Sequence, residues 1–192
     1  RELVLEDVPV TIYDLGANLQ RLRLILSDEQ LSSIRRVQGD ITDSATLQQA
    51  LRESGATHLI HLAALQVPFC KATPILGAQV NVVGTVNVFE AAKHCGLKQV
   101  TYASSIAVFG PRDSYPPGLL QPNAKLDPRS HYGVYKQANE ATARIYFADN
   151  GISSIGLRPY TVYGPGRDQG MTSAPTSAML AAAKGEGYHM PF

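Results

Sequence analysis

The feature that most constrains the fold is a repeated alternation between short apolar runs and longer helix-like segments. Each apolar run is rich in β-forming residues and ends in small or polar residues, which is typical of a buried parallel strand. Five such runs occur, at residues 8–13, 34–37, 57–62, 99–103 and 152–157. The alternation predicts an α/β domain with a parallel sheet, and ligands of such sheets bind at the carboxyl ends of the strands.

Helix signals fill the intervals between these runs. The predicted helices are residues 44–54, 76–95, 131–149 and a short Ala-rich helix at about 174–184. A Ser/Thr/Asp cluster starts the first of them, and Gly96 and Gly151 follow the ends of the second and third, as capping requires. Residues 110–129 contain five prolines, which predicts an ordered loop in that interval.

Composition argues against several classes of protein. The 192 residues are 44% hydrophobic and 17% charged, with a formal charge of +1, so the chain has no basic field for nucleic acid. No apolar run approaches the roughly 20 residues of a membrane span, and the first residues show no charged-then-apolar pattern, so we expect no export signal. Because the only cysteines are Cys70 and Cys95, we expect reduced thiols in a cytoplasmic protein. His58 and His61 would point to opposite faces of a strand, so we predict no metal site.

Tyr132 and Lys136 are four residues apart on the predicted helix 131–149, so both side chains lie on one helix face. A free phenol is a poor base at neutral pH, and a nearby ammonium stabilises its phenolate form. This order and spacing therefore suit general acid–base chemistry. The alternative is a surface tyrosine stacked over a lysine stem, because nine tyrosines produce such spacings by chance.

Ser104 and Ser105 follow the predicted strand 99–103. A hydroxyl at this strand end can hydrogen-bond the substrate oxygen that Tyr132 protonates or deprotonates. The alternative is a serine that only caps the strand end. Two independent candidates of this kind, separated by the Pro-rich loop, favour the functional interpretation.

Seven pieces of sequence between residues 8 and 167 follow one another in a distinctive order. They are Asp14, Gly39-Asp40, His61-Leu62-Ala63-Ala64, Asn81-x-x-Gly84-Thr85, Ser104-Ser105 to Gly110, Tyr132-Gly133-x-x-Lys136-x-x-x-Glu140, and Arg158-Pro159 to Tyr163-Gly164-Pro165-Gly166. This set resembles the extended short-chain dehydrogenase/reductases, the group of NAD-dependent sugar epimerases, dehydratases and related dehydrogenases. The resemblance implies a Rossmann-type doubly wound sheet, NAD as the cofactor, and a sugar or sugar derivative as the small-molecule substrate.

The resemblance also implies a role for each matched position. Tyr132 would be the acid–base residue, Lys136 would tune it and hold the nicotinamide ribose, and Ser105 would be the catalytic hydroxyl. The implied cofactor-binding positions are Asp14, Asp40, Ile41, Leu62, Ala63, Ala64, Asn81, Ala103, Tyr132, Lys136, Pro159 and Val162. The implied substrate-binding positions are Ser105, Ile106, Tyr132, Thr161 and Arg167.

Asp14 bears on the choice between NAD and NADP. By the resemblance, its carboxylate would accept hydrogen bonds from the adenosine ribose and repel a 2′-phosphate, which favours NAD. Arg21 and Arg23 act against that preference. The structural alternative for Asp14 is a turn residue before Gly16.

The largest departure from the family is an absence. The family begins with a strand and a G-x-x-G-x-x-G turn that holds the cofactor pyrophosphate, and residues 1–7 instead resemble the end of the helix that follows that turn. We expect the first strand, which belongs in the middle of the sheet, and its turn to lie upstream of this sequence. We predict a partial NAD-binding domain at 1–164 and the start of a C-terminal substrate-binding region at 165–192.

Three functions compete. The first is a sugar epimerase, the second a net dehydrogenase of a sugar, sugar acid or other secondary alcohol, and the third a noncatalytic NAD-binding scaffold. Phe109 stands where sugar epimerases usually carry Tyr, and Thr161 replaces the Asn of many nucleotide-sugar enzymes, so both weaken the case for a UDP-sugar. Ile106 follows Ser105 where dehydratases carry an acidic residue, which argues against a dehydratase. By analogy with the family, helices 76–95 and 131–149 predict a homodimer.

Overall fold

The computed structural model describes residues 1–170 and 172–190. All five predicted strands are present, with ends that shift by at most three residues. The strands are β1 (Thr11–Asp14), β2 (Arg35–Gln38), β3 (Leu59–His61), β4 (Gln99–Ala103) and β5 (Ser153–Leu157). The helices are α1 (Glu2–Leu5), α2 (Gln20–Arg23), α3 (Asp28–Ser32), α4 (Ser44–Ser54), α5 (Val67–Ala72), α6 (Pro74–Ala78), α7 (Gly84–His94), α8 (His131–Asn150) and α9 (Ala174–Lys184). Every strand pair is parallel, so the predicted α/β class is confirmed.

The chain divides into two compact units, which we describe separately. The first unit contains Arg1–Gln38 and the described residues from Thr161 onward. Its sheet consists of β1 and β2, and Leu26, Leu31 and Ile34 form a buried cluster beside it.

The second unit, Gly39–Tyr160, contains the sheet β3-β4-β5 with β4 in the centre. Helix α4 packs against α7, α7 packs against α8, β3 and β4, and α8 packs against β5. The centre of the core is Phe89 of α7, which is fully buried. Its ring stacks on Tyr146 of α8 at 4.9 Å and meets Tyr102 of β4 edge-on at 6.2 Å. These contacts fix α8 over β4, which positions the candidate site.

The strands form two sheets, and among the described residues no strand of one sheet pairs with a strand of the other. The upstream strand that the sequence predicts stays a prediction.

The predicted helix 76–95 is a run of three segments, because a π-helical turn at Gln79–Val83 separates α6 from α7. By length and composition the run Pro74–His94 could cross a membrane, which corrects our expectation that no apolar run approaches that length. Half of its apolar window is buried inside the domain, where it packs against α4 and α8. Core helices pass the same test, and the packing favours that interpretation.

Candidate active site

The carboxyl end of β4 carries the predicted serine pair. Ser104 is buried, and its backbone N–H donates to the carbonyl oxygen of Leu157 at 2.7 Å, which joins the ends of β4 and β5. Ser105 is half-buried, and its Oγ accepts a hydrogen bond from the N–H of Ala107 at 3.1 Å at the start of the 3₁₀ turn Ile106–Val108. Because Oγ accepts in this bond, the hydroxyl of Ser105 can still donate to a ligand oxygen.

Helix α8 begins directly against this turn. The side chain of Ser130 accepts a hydrogen bond from the N–H of Gly133 at 3.1 Å and caps the helix. A Cβ at Gly133 would overlap the carbonyl oxygen of Ala107. Glycine therefore allows the first turn of α8, which includes Tyr132, to pack against the turn that begins at Ser105.

Lys136 lies one helical turn after Tyr132 and is 2% exposed. Its Nζ donates to the carbonyl oxygen of Ala103 at 2.7 Å and lies 5.6 Å from the centroid of the Tyr132 ring. Burial lowers the pKa of Lys136 to about 8, although the neighbouring Cys70 acts in the opposite direction. The lysine is therefore still a cation at neutral pH, and a cation at this place favours the ionised form of a neighbouring phenol.

A second charged side chain lies one turn further along α8. Oε1 of Glu140 accepts from the hydroxyl of Ser104 at 2.6 Å and from Nε of Arg158 at 2.8 Å, and Oε2 accepts from Nη2 of Arg158 at 2.7 Å. The guanidinium also lies over the ring of Phe109, 4.8 Å from its centroid. Burial raises the pKa of Glu140, but hydrogen bonds from Arg158 and Ser104 more than offset it, so the pKa stays below its usual value. Sequence analysis matched Glu140 to the family but assigned it no role.

The loop after β3 is held by Asn81, which is 1% exposed. Its Oδ1 accepts from the N–H of Leu65 at 2.7 Å, and its Nδ2 donates to the carbonyl oxygen of Leu65 at 2.9 Å. The loop presents Ala63, which is exposed, and Ala64, which is half-buried. The structure therefore gives Asn81 a role in holding this loop, whereas its contact with the cofactor stays a prediction.

A buried histidine lies beside the same helix. Nε2 of His61 is 3.0 Å from Oγ1 of Thr85, whose hydroxyl donates to the carbonyl oxygen of Asn81 at 2.7 Å. The hydroxyl of Thr85 has one proton and donates it to Asn81, so Oγ1 can only accept from His61. Nε2 of His61 must therefore carry the proton of the neutral ring. Burial, with a smaller effect of Lys136, lowers the pKa of His61 to about 4. A single histidine on a strand offers no sequence signal for this buried contact.

Asp40 and Ile41 are fixed by local and tertiary hydrogen bonds. Oδ1 of Asp40 accepts from the N–H and the hydroxyl of Thr42, both at 2.8 Å, which is an Asx turn. Nδ2 of Asn87 donates to the carbonyl oxygen of Ile41 at 3.0 Å. The sequence analysis did not identify Asn87, and its place at helical spacing within the second predicted helix is the only signal that could have shown it.

Four of the predicted site residues lie in the first unit: Asp14, Thr161, Val162 and Arg167. Asp14 is exposed, and its Oδ1 accepts from the N–H of Gly16 at 2.7 Å. Nη2 of Arg167 donates to Oγ1 of Thr172 at 2.6 Å. The turn geometry of Asp14 is thus present, and its contact with a ribose stays a prediction.

In the second unit, the carboxyl end of β4 brings together residues that the sequence separates widely. The carbonyl oxygen of Ala103, the last residue of β4, accepts the hydrogen bond from Lys136. The N–H of Ile106 donates to the carbonyl oxygen of Pro159 at 3.2 Å. The predicted residues gathered there are Ala103, Ser105, Ile106, Tyr132, Lys136 and Pro159. Leu62, which is 69% exposed, directly follows the neighbouring strand β3.

Known proteins resemble the chain in sequence. The model of the NAD dependent epimerase/dehydratase family matches residues 9–190. UDP-glucuronate 4-epimerase 3 of Arabidopsis thaliana is 33% identical over 150 residues, which are 77% of this chain and 34% of that protein. The chain therefore spans about a third of that relative's length.

Solved structures resemble it in fold. The L-threonine dehydrogenase of Cupriavidus necator, in its holo form, superposes with a TM-score of 0.82 at 25% identity, over 97% of this chain and 58% of that one. The UDP-N-acetylglucosamine 4-epimerase of Methanobrevibacter ruminantium, in complex with UDP-N-acetylmuramic acid, gives a TM-score of 0.78 at 26% identity, over 93% of this chain and 56% of that one. The predicted Rossmann-type architecture is thereby confirmed.

Proposed function

This chain belongs to the NAD-dependent epimerase/dehydratase family of extended short-chain dehydrogenase/reductases, and from that premise we propose that it is a sugar or nucleotide-sugar epimerase that works through Ser105, Tyr132 and Lys136. NAD is the cofactor of this family. One observation carries the proposal: a buried ammonium, Lys136, lies 5.6 Å from the ring of Tyr132 and is bonded to Ala103, two residues before Ser105.

The chemistry is a reversible oxidation at one carbon of the sugar. Tyr132, as phenolate, takes the proton of the substrate hydroxyl while the attached carbon loses hydride, so a carbonyl group forms. NAD, when bound, would supply the hydride acceptor for this oxidation and the hydride donor for the reverse reduction. The hydroxyl of Ser105 donates to the substrate oxygen throughout, and Lys136 stabilises the phenolate before it takes the proton. Tyr132 then gives the proton back, so product and substrate differ only in configuration.

The residues around the site suit a bound dinucleotide. Ala63 and Ala64 present only methyl groups at the carboxyl end of β3, so a ligand can approach the backbone there. The ammonium of Lys136 has three donors, and the bond to Ala103 uses one of them, so the others suit the hydroxyls of the nicotinamide ribose. For the first unit we retain the prediction that Asp14 accepts from the adenosine ribose and selects NAD.

Two observations favour different substrates. Relatives at 33% identity are named as UDP-sugar 4-epimerases, which supports a nucleotide sugar. The likeness to an L-threonine dehydrogenase, together with Phe109 in place of the usual Tyr, favours a second candidate, a net dehydrogenase of a secondary alcohol. The scaffold hypothesis requires that Tyr132 be dispensable.

The test uses the complete natural polypeptide with NAD and UDP-glucuronate, UDP-glucose or L-threonine, and product formation is followed by proton NMR and NADH absorbance. An epimerase converts the sugar to its C4 epimer without net NADH, whereas a dehydrogenase accumulates NADH. We expect Tyr132→Phe to lower kcat by about 10²- to 10⁴-fold. The matched control is Tyr135→Phe on the same helix, whose hydroxyl donates to Pro74 at 2.8 Å and which should keep its activity. Full activity of Tyr132→Phe would exclude both catalytic proposals.

We also propose that the protein forms a homodimer through the outer faces of α6, the π turn, α7 and α8. The exposed apolar side chains lie on α6, the π turn and α8: Ile75 (79%), Leu76 (47%), Val83 (47%), Val134 (49%) and Ile145 (59%). Sedimentation of the purified protein tests this, and a monomer at micromolar concentration would contradict it.

Cys70 and Cys95 are free thiols, which supports a reducing, cytoplasmic location; fractionation of cells tests that proposal.

A further inference from the structure

Three side chains of α8 lie one turn apart on the face that meets the end of β4. They are Tyr132, Lys136 and Glu140. Lys136 bonds the carbonyl oxygen of Ala103, and Glu140 bonds the hydroxyl of the next residue, Ser104. Two successive turns of the helix are thus attached to two successive residues of the strand, which sets both the rotation and the axial position of α8 relative to β4.

The Glu140 attachment is the more rigid of the two. Its carboxylate receives three hydrogen bonds of 2.6 to 2.8 Å from Ser104 and Arg158, and it is 7% exposed. Arg158 is itself held by the carbonyl oxygen of Pro122 at 3.0 Å and by the ring of Phe109. One carboxylate therefore joins the end of β4, the middle of α8, the residue after β5 and the Pro-rich loop.

We propose that Glu140 is a positioning residue, which through Ser104 sets the distance between the phenol of Tyr132 and the hydroxyl of Ser105. This inference rests on the proposed function, because it assigns Glu140 to the same site. Ser105 is covalently next to Ser104, and Tyr132 lies two turns before Glu140 on one rigid helix. Both groups that contact the substrate oxygen therefore share a single anchor, and a shift of about 1 Å at such an anchor lowers a rate by about 10²-fold.

The effect of Ser104→Ala distinguishes two roles of Glu140, an ion pair that only stabilises the fold and a residue that positions Tyr132. Ser104→Ala removes the link between helix and strand but leaves the Glu140–Arg158 pair in place. If the pair only stabilises the fold, this variant behaves like any other that loses one hydroxyl bond. The matched control is Ser153→Ala, which loses a bond of 3.0 Å to the carbonyl oxygen of Lys98 at the amino end of β5.

The experiment compares Ser104→Ala with Ser153→Ala in the complete natural polypeptide. We expect a modestly lower thermal midpoint for Ser104→Ala than for Ser153→Ala, because only Ser104→Ala loses a bond to a buried carboxylate. At temperatures where both variants are folded, we expect an about 10- to 100-fold lower kcat for Ser104→Ala with little change in KM, and wild-type kcat for Ser153→Ala. Crystal structures give a readout that needs no turnover, because Tyr132 should be displaced relative to Ser105 only in Ser104→Ala. A Ser104→Ala variant with wild-type kcat and an unchanged Tyr132 position would overturn the inference.

The outcomes separate this inference from the proposed function. If Tyr132→Phe is inactive and Ser104→Ala is fully active, Glu140 is structural and the proposed chemistry stands. If Tyr132→Phe is fully active, the proposed chemistry fails, and the crystal structures alone decide whether Glu140 sets the position of α8. If Ser104→Ala unfolds at a much lower temperature than Ser153→Ala, and its kcat falls only as far as its folded fraction, the role is structural.

Discussion

Two successive turns of α8 bury side chains of opposite charge, and the two differ in the partners that they meet. Lys136 meets a neutral carbonyl oxygen, that of Ala103, and its pKa falls to about 8 because burial is hardly compensated. Glu140 meets a hydroxyl and the guanidinium of Arg158, and its pKa falls below its usual value although burial acts against the charge. A low pKa disfavours the charged form of a lysine and favours the charged form of a glutamate.

The comparison distinguishes a charge that destabilises the folded state, that of Lys136, from a charge that stabilises it, that of Glu140. The ammonium of Lys136 opposes folding at neutral pH, and its position beside Tyr132 gives a functional reason to keep it. The carboxylate of Glu140 is stabilised by its partners and joins α8 to the end of β4 and to the residue after β5. Substitutions at these two positions should therefore change the free energy of unfolding in opposite directions.

The largest effect should come from Glu140→Ala. It leaves the guanidinium of Arg158, whose side chain is 25% exposed, without its partner, and the loss of one member of such a pair lowers the free energy of unfolding by about 3 kcal/mol or more. Urea unfolding measures it. The control is Lys93→Ala, which breaks a more exposed pair, with Lys93 43% and Glu90 30% exposed, and should change stability by about 1 kcal/mol or less. Equal losses for the two variants would remove the distinction between anchor and surface pair.

Lys136→Met should have the opposite sign. Shifting a lysine pKa from 10.5 to about 8 corresponds to about 3 kcal/mol of destabilisation at neutral pH, and the lost bond to Ala103 offsets about 1 kcal/mol of the gain. We therefore expect Lys136→Met to raise the free energy of unfolding by about 2 kcal/mol at pH 7 while activity is lost.

The pH dependence gives this prediction a separate check. Below pH 8 the lysine is charged in both the folded and the unfolded chain, so the gain of Lys136→Met is constant there. Between about pH 8 and 10.5 the folded lysine is neutral while the unfolded one still holds its proton, so wild-type stability rises and the gain shrinks. Unfolding curves of both proteins at pH 7 and pH 10 measure this. A gain that is the same at both values would mean that the charge of Lys136 does not oppose folding.

Signals within a short stretch of sequence located most elements correctly. Residues 99–103 and 174–184 form β4 and α9 with the predicted bounds, and α4 begins and ends as predicted because Asp43 caps it and Gly55 stops it. These signals act within one or two turns of chain. The π turn in the run Pro74–His94 has no such local signal, and Asn81 within it bonds the backbone of Leu65, 16 positions away in the chain.

The candidate site was predictable to the same extent. The spacing of Tyr132 and Lys136 gave the shared helix face, and the strand end gave the place of Ser105. Sequence could not show that Glu140 meets Arg158, since 18 residues and a strand separate them, nor that His61 is buried against Thr85. Contacts of this kind depend on how α7 and α8 pack on the sheet, and residue spacing does not specify that packing.

The smallest change in stability should come from Gly133→Ala. It leaves Lys136 and Glu140 unchanged but moves Tyr132 away from Ser105. The added Cβ overlaps the backbone oxygen of Ala107, which cannot rotate away, so the first turn of α8 must move. Alanine gains about 1 kcal/mol of helix propensity, and overpacking takes away about 1–3 kcal/mol, so the net loss of stability should be about 1 kcal/mol. The control is Gly187→Ala, where a Cβ meets open space. Because the displaced turn carries Tyr132, kcat should fall by more than this small loss of stability explains, and an unchanged kcat would show that the site tolerates movement of α8.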